Sequence, residues 1–122
     1  MKASQAATIL IVDTQTAFRA GLRATLATDT GLAVTGEVND GEAALAAVLT
    51  AAPDIVLIDA NLGPLSGFEV AAQIRRAASS AAIIVLSDTD TEDELFAAIK
   101  VGAAAYFSPD PPNLRLTSPF RS

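Results

Sequence analysis

The chain has 122 residues, 8 basic and 14 acidic side chains, a net charge of −6, and neither Cys nor His. That length fits one domain with its own core, and the acidic balance argues against binding to a nucleic-acid backbone. Without Cys and His there can be no disulfides, thiol nucleophiles, Cys/His zinc sites, Ser-His triads or imidazole acid–base chemistry, which leaves an oxygen-rich donor set suited to a hard cation such as Mg²⁺.

The elements follow one another with short connections. Thr8 to Val12 is a β-branched, continuously apolar run that reads as a buried strand ending at Asp13. Phe18, Leu22 and Leu26 recur at helical spacing with Arg19 and Arg23 between them, giving an amphipathic helix that stops near Asp29-Thr30-Gly31. Leu32 to Val38 alternates weakly as a second strand. Asn39-Asp40-Gly41 is a turn and cap signal before an Ala/Leu-rich helix over 41–51, which Pro53 stops.

Ile55 to Ile58 is a third strand ending at Asp59, followed by a Gly/Pro loop over 60–66 and a helix over 67–78. Ala81 to Leu86 is a fourth strand ending at Ser87. Thr91 and Glu94 have capping-box spacing before a helix that runs to about Val101. Ala103 to Phe107 is a short fifth strand. Alternating strands and helices predict a parallel sheet covered on both faces. The polar start lacks an apolar h-region, and no run approaches the ~20 apolar residues of a membrane span, so a cytoplasmic protein without membrane contact is expected.

Ligands of such a sheet bind beyond the carboxyl ends of its strands. Three strands end there in Asp13, Asp59 and Ser87. Two neighbouring acids repel unless a cation lies between them, which points to a divalent-metal and phosphoryl site. Capping of the following helices is the other reading.

These residues resemble a known family. Ile9-Leu10-Ile11-Val12-Asp13, Phe18-Arg19-Ala20-Gly21-Leu22-Arg23, Asp40-Gly41-Glu42-Ala43-Ala44, Pro53 to Asp59, Val85-Leu86-Ser87 and Gly102-Ala103-Ala104-Ala105-Tyr106 are similar to the receiver domains of two-component response regulators, in particular those preceding LuxR-type outputs. The resemblance implies a flavodoxin-like, doubly wound sheet of five parallel strands in the order 2-1-3-4-5. It implies that Asp59 is the phosphoacceptor and that Asp13, Asp59 and the Asn61 carbonyl hold Mg²⁺. It also makes Ser87 and Tyr106 a switch pair and a sensor histidine kinase the partner.

Three positions depart from the family pattern. Thr14 stands where a second acid would ligate the metal, and a neutral hydroxyl there lowers Mg²⁺ affinity. Pro109 stands where a lysine would meet the phosphoryl group. Asp88 follows Ser87 where a small or apolar residue is usual; its carboxylate either faces the pocket or points outward. The expected protein is an atypical receiver over 1–107, with impaired phosphorylation, acting through protein–protein contacts rather than as an enzyme. An ordinary Mg²⁺-dependent receiver controlling a DNA-binding output is the alternative, and a small phosphohydrolase a more distant one.

Residues 108–122 carry Pro109, Pro111, Pro112 and Pro119, so the family's fifth helix is expected to be missing or irregular. Leu114 and Leu116 alternate as in an extended strand. The sheet face beside the first helix is then expected to be sealed by this tail or by a second copy in a homodimer.

Overall fold

The computed structural model describes residues 6–77, 80–109 and 112–117. Its main sheet contains β1 (Ala7–Val12), β2 (Leu32–Val38), β3 (Ile55–Asp59), β6 (Ala82–Leu86), β7 (Ala105–Pro109) and β8 (Pro112–Leu116), in the order β2-β1-β3-β6-β7-β8. The first five of these run parallel, which is the expected 2-1-3-4-5 order; β8 pairs antiparallel with β7. A two-residue hairpin, β4 (Asn61–Leu62) with β5 (Leu65–Ser66), occupies the loop after β3. The helices are α1 (Thr16–Leu26), α2 (Gly41–Ala51), α3 (Gly67–Arg76) and α4 (Glu92–Lys100).

The central strands are apolar without alternation because both of their faces are covered. On one face Leu10, Val12, Val56, Ile58, Ile83, Val85 and Tyr106 pack with Val48 of α2, Val70 and Ile74 of α3 and Ala98 of α4. On the other, Ile9, Ile11, Leu57 and Leu86 meet Leu22 and Leu26 of α1. Local chemistry sets the helix boundaries. Asp40 caps α2 by accepting from the Ala43 N–H at 2.7 Å. At the other end of α2, Ala52 takes a left-handed conformation, φ 47°, and Pro53 follows. Arg75, in the last turn of α3, donates to the carbonyls of Ala81 (3.0 Å) and Gly102 (3.1 Å). It fastens the end of α3 to the sheet.

The tail departs most from the expected layout. The fifth strand runs on to Pro109, and Pro112–Leu116 adds a sixth, so most of the described chain after 107 is strand. No helix follows α4 among the described residues. Proline removes a backbone donor and blocks a helix, but it is tolerated at the end of an edge strand. The residues of β8 divide by parity. Asn113 and Arg115 turn to the start of α4, where Asn113 Nδ2 donates to Asp90 at 2.7 Å and Arg115 pairs with Asp90 (3.2 Å) and Glu92 (3.3 Å). Leu114 and Leu116 stand opposite Phe107 and Ala105, on the α1 side, and remain 57% and 62% exposed. They widen the apolar face beside α1 and do not seal it. Phe120, the other large apolar residue of the tail, lies outside the described residues.

Candidate functional site

The carboxyl ends of β1, β3 and β6 open onto a cavity of about 510 Å³, roomy enough for a phosphoryl group and a hydrated cation. Asp13, Thr14, Asp59, Asn61, Ser87 and Asp88 all line it, so residues 75 positions apart in the chain meet in one place. Asp13 is buried, and its Oδ1 accepts from the Gln15 N–H at 2.7 Å. Asp59 Oδ1 accepts from the Asn61 N–H at 3.0 Å. Thr14 and Asp88 are exposed at the rim. Asp88 lies at the cavity mouth, close enough for its charge to act on Asp59.

Two glycines position the end of β3 and the loop that follows it. Gly63 takes φ +87°, which closes the β4–β5 hairpin beside the pocket. At Gly67 a Cβ would lie 2.0 Å from the Asp59 carbonyl oxygen, so only glycine lets α3 start against the end of β3. The Gly67 N–H donates to the Ala60 carbonyl at 2.7 Å and fixes that approach.

The electrostatics of this wall are repulsive. Burial pushes the Asp59 carboxyl up to about 6, the Asn61 N–H opposes the shift, and the charges of Asp13 and Asp88 reinforce it. Among the described residues no basic side chain lines the cavity. Pro109 ends β7 where a lysine was sought, and Lys100 is exposed in the last turn of α4. Nor do three acidic ligands converge into a ready metal cage among the described residues. Two carboxylates and a main-chain carbonyl still suit Mg²⁺, which keeps several waters and needs few protein ligands. The donor set therefore fits the cation, with one carboxylate fewer than the family pattern.

Behind Ser87, on the side toward α4, lies a cluster of hydroxyls. Tyr106 on β7 is fully buried, and its hydroxyl donates to Glu94 Oε1 at 2.6 Å, with the Thr89 carbonyl as a second close acceptor. Ser87 Oγ donates to the same Glu94 oxygen at 2.6 Å, and Thr89 Oγ1 does so at 2.9 Å. Sequence reasoning missed Glu94. Its spacing from Thr91 suggested a reciprocal capping box, and Thr91 does accept from the Glu94 N–H at 3.2 Å. The carboxylate, however, turns to the three hydroxyls. Burial alone would raise its pKa; the donors from Ser87, Tyr106 and Thr89 override that and hold it below the ordinary glutamate value. Burial and the Glu94 bond in turn push the Tyr106 hydroxyl up.

Residues 9–115 match the family described as response regulator receiver domain. The chain belongs to the response-regulator receiver family. It is 35% identical over 115 residues to the response regulator UvrY of Escherichia coli, covering 93% of this chain and 52% of that protein. It is 32% identical over 102 residues to the transcriptional regulatory protein YxjL of Bacillus subtilis, covering 84% and 47%. The signal receiver domain of the putative response regulator NarL from Mycobacterium tuberculosis superposes with a TM-score of 0.82 at 27% identity, covering 87% of this chain and 86% of that one. This receiver is thus of the NarL/LuxR type. It spans about half the length of the curated relatives it matches. Receiver domains are regulatory signal-transduction modules that generally bind Mg²⁺ at the phosphorylation site. No described helix is long and apolar enough to cross a membrane.

Proposed function

We propose that this receiver accepts a phosphoryl group on Asp59 only slowly and signals mainly through protein–protein contacts. The observation that carries the reading is the acceptor wall: three carboxylates, Asp13, Asp59 and Asp88, and no basic side chain among the described lining residues. In the transfer, an Asp59 carboxylate oxygen attacks phosphorus, a P–O bond forms, and the bond to the donor's leaving group breaks with its electron pair. Charge builds on the phosphoryl oxygens, so the rate depends on neutralising it. Asp13, Asp59 and the Asn61 carbonyl would hold Mg²⁺, which supplies part of that neutralisation when bound. Thr14 adds no charge to the ligand set, and at Pro109 no ammonium is available.

The partners follow from family membership: a sensor histidine kinase as phosphodonor, and transcriptional control as the output, since YxjL is named a transcriptional regulatory protein. A second copy is the other partner. The α1 side of the sheet, widened by Leu114 and Leu116, exposes apolar surface of the kind that finds a mate. Light scattering tests this half of the reading, with a dimer expected and a strict monomer at high concentration counting against it.

The acceptor half is tested by the intact mass after treatment with a small phosphodonor, with and without Mg²⁺. The expected result is slow, incomplete formation of a single phosphoryl adduct that needs Mg²⁺. Fast and stoichiometric labelling would overturn the impairment and favour an ordinary receiver.

A further inference from the structure

Three hydroxyls converge on one carboxylate oxygen, with Tyr106 sharing its proton between that oxygen and the Thr89 carbonyl. Glu94 Oε1 lies 2.6 Å from Ser87 Oγ, 2.9 Å from Thr89 Oγ1 and 2.6 Å from the Tyr106 hydroxyl. Counting protons sets the direction of each bond. An ionised carboxylate has no proton to give, so every bond runs toward it. Ser87 Oγ already accepts from the Thr89 N–H at 3.2 Å, and its own single proton goes to the anionic oxygen, the strongest acceptor in reach.

Ser87 also lines the acceptor cavity with Asp13 and Asp59. With its proton turned toward α4, it presents lone pairs to that cavity. A phosphoryl oxygen on Asp59 gains the Ser87 bond only if the proton leaves Glu94. Because Tyr106 shares the same carboxylate oxygen, withdrawing Ser87 changes the acceptor strength felt by the Tyr106 hydroxyl. The resemblance pairs Ser87 with Tyr106 and gives Glu94 no part.

We propose that Glu94 is a positioning residue that competes with a phosphoryl group on Asp59 for the Ser87 proton and transmits the outcome to Tyr106. The inference rests on the reading of Asp59 as the phosphoacceptor. Its physical content is that one anion on α4 keeps the switch hydroxyl occupied while the acceptor is unmodified.

Beryllofluoride with Mg²⁺, a non-transferable mimic of the phosphoryl group, is the probe, its affinity read by fluorine NMR. Tyr106 supplies a second readout, because the chain has one Tyr and no Trp. A carboxylate that accepts a phenol proton quenches its emission. Glu94→Gln replaces the anionic acceptor with a neutral one. It is expected to raise Tyr106 emission and to tighten beryllofluoride binding about tenfold, the scale of one hydrogen bond to a charged group. Glu94→Asp keeps the charge and suits a helix start, but its shorter reach cannot span all three hydroxyls; a change in the same direction is expected, which covers a Gln variant that folds badly.

The decisive arm is a double-mutant cycle. In a Ser87→Ala background, Glu94→Gln is expected to leave the affinity within about twofold, whereas a merely structural role would change it equally in both backgrounds. Equal effects in the two backgrounds, or unchanged Tyr106 emission, overturn this inference alone. No uptake of the mimic by any variant overturns it together with the acceptor reading.

Discussion

Two carboxylates at the same end of the sheet are treated in opposite ways. Asp59 faces Asp13 and Asp88 and is pushed up to about 6. Glu94, on α4 behind Ser87, collects three hydroxyl donors and is held below its ordinary value. Both lose hydration; what separates them is the company each keeps. A partly buried acid among acids favours its proton, and one among O–H groups favours its charge. The carboxylate cluster that lines the pocket is therefore frustrated until a cation or a proton arrives, while the hydroxyl cluster around Glu94 is satisfied as it stands.

The largest effect expected from breaking this contrast is at Asp59 itself. Asp59→Asn should abolish the phosphoryl adduct altogether, read by intact mass, and an adduct that survives would place the acceptor elsewhere. Next, Thr14→Asp adds a charged oxygen to the frustrated cluster. Mg²⁺ affinity should rise about tenfold, measured by calorimetric titration; an unchanged constant would show that Asp88 already fills the role.

In the hydroxyl cluster, Tyr106→Phe removes one of the donors to Glu94 and keeps the ring. A loss of about 1–2 kcal/mol in chemical denaturation is expected for a bond to a charged group. The pH dependence of stability should separate the two acids further. A raised folded-state pKa means that the folded chain binds the Asp59 proton more tightly than the unfolded chain does. Its contribution therefore grows as pH falls from above 6 toward the ordinary value of 3.8 and is lost as pH rises through 6. Glu94 has the opposite sign: its contribution is present above the ordinary glutamate value and is lost as pH falls through the depressed one. Without divalent cation, the unfolding free energy should be higher near pH 5 than near pH 7 by on the order of 1 kcal/mol after solvent screening is allowed for. Asp59→Asn should flatten that slope.

The smallest expected effect is at the other helix start with the same motif. Ser66 and Glu69 form the full reciprocal box at the start of α3, with 3.1 Å and 3.4 Å bonds. Glu69→Gln should cost only a few tenths of a kcal/mol and leave Tyr106 emission untouched.

These two starts also show what was legible in the sequence. The Thr91-x-x-Glu94 spacing located the start of α4, because the cap bond is local and depends on residues three apart; the same spacing at Ser66 and Glu69 was there to be read at the start of α3. It could not tell which glutamate would reach back to its own cap and which would leave it. That depended on Ser87 and Tyr106, delivered by strands far away in sequence. Asp13, Asp59 and Ser87 were readable for a different reason: each ends an apolar run, and a parallel sheet brings such ends together. The tail was half readable. Its prolines forbade a helix and its alternation indicated an extended segment. The pairing with β7 was not visible, because Asp90, the partner of Arg115 and Asn113 just before α4, comes within reach only once the sheet is built.

The β7–β8 pairing has a consequence for the order of folding. Each parallel pairing of the sheet joins strands separated by a helix, and such non-local closures set the rate of folding. The rung from Pro109 to Pro112 closes over two residues. A hairpin that short forms within microseconds, yet an isolated two-stranded ribbon is at best marginally stable in water. β8 gains its stability only when β7 has docked on β6 and α4 has brought Asp90 and Glu92 within reach of Arg115. Substitutions in β8 should then speed unfolding and leave the folding rate almost unchanged. The same edge should be the first part of the sheet to exchange its amide protons, opening while the centre stays closed.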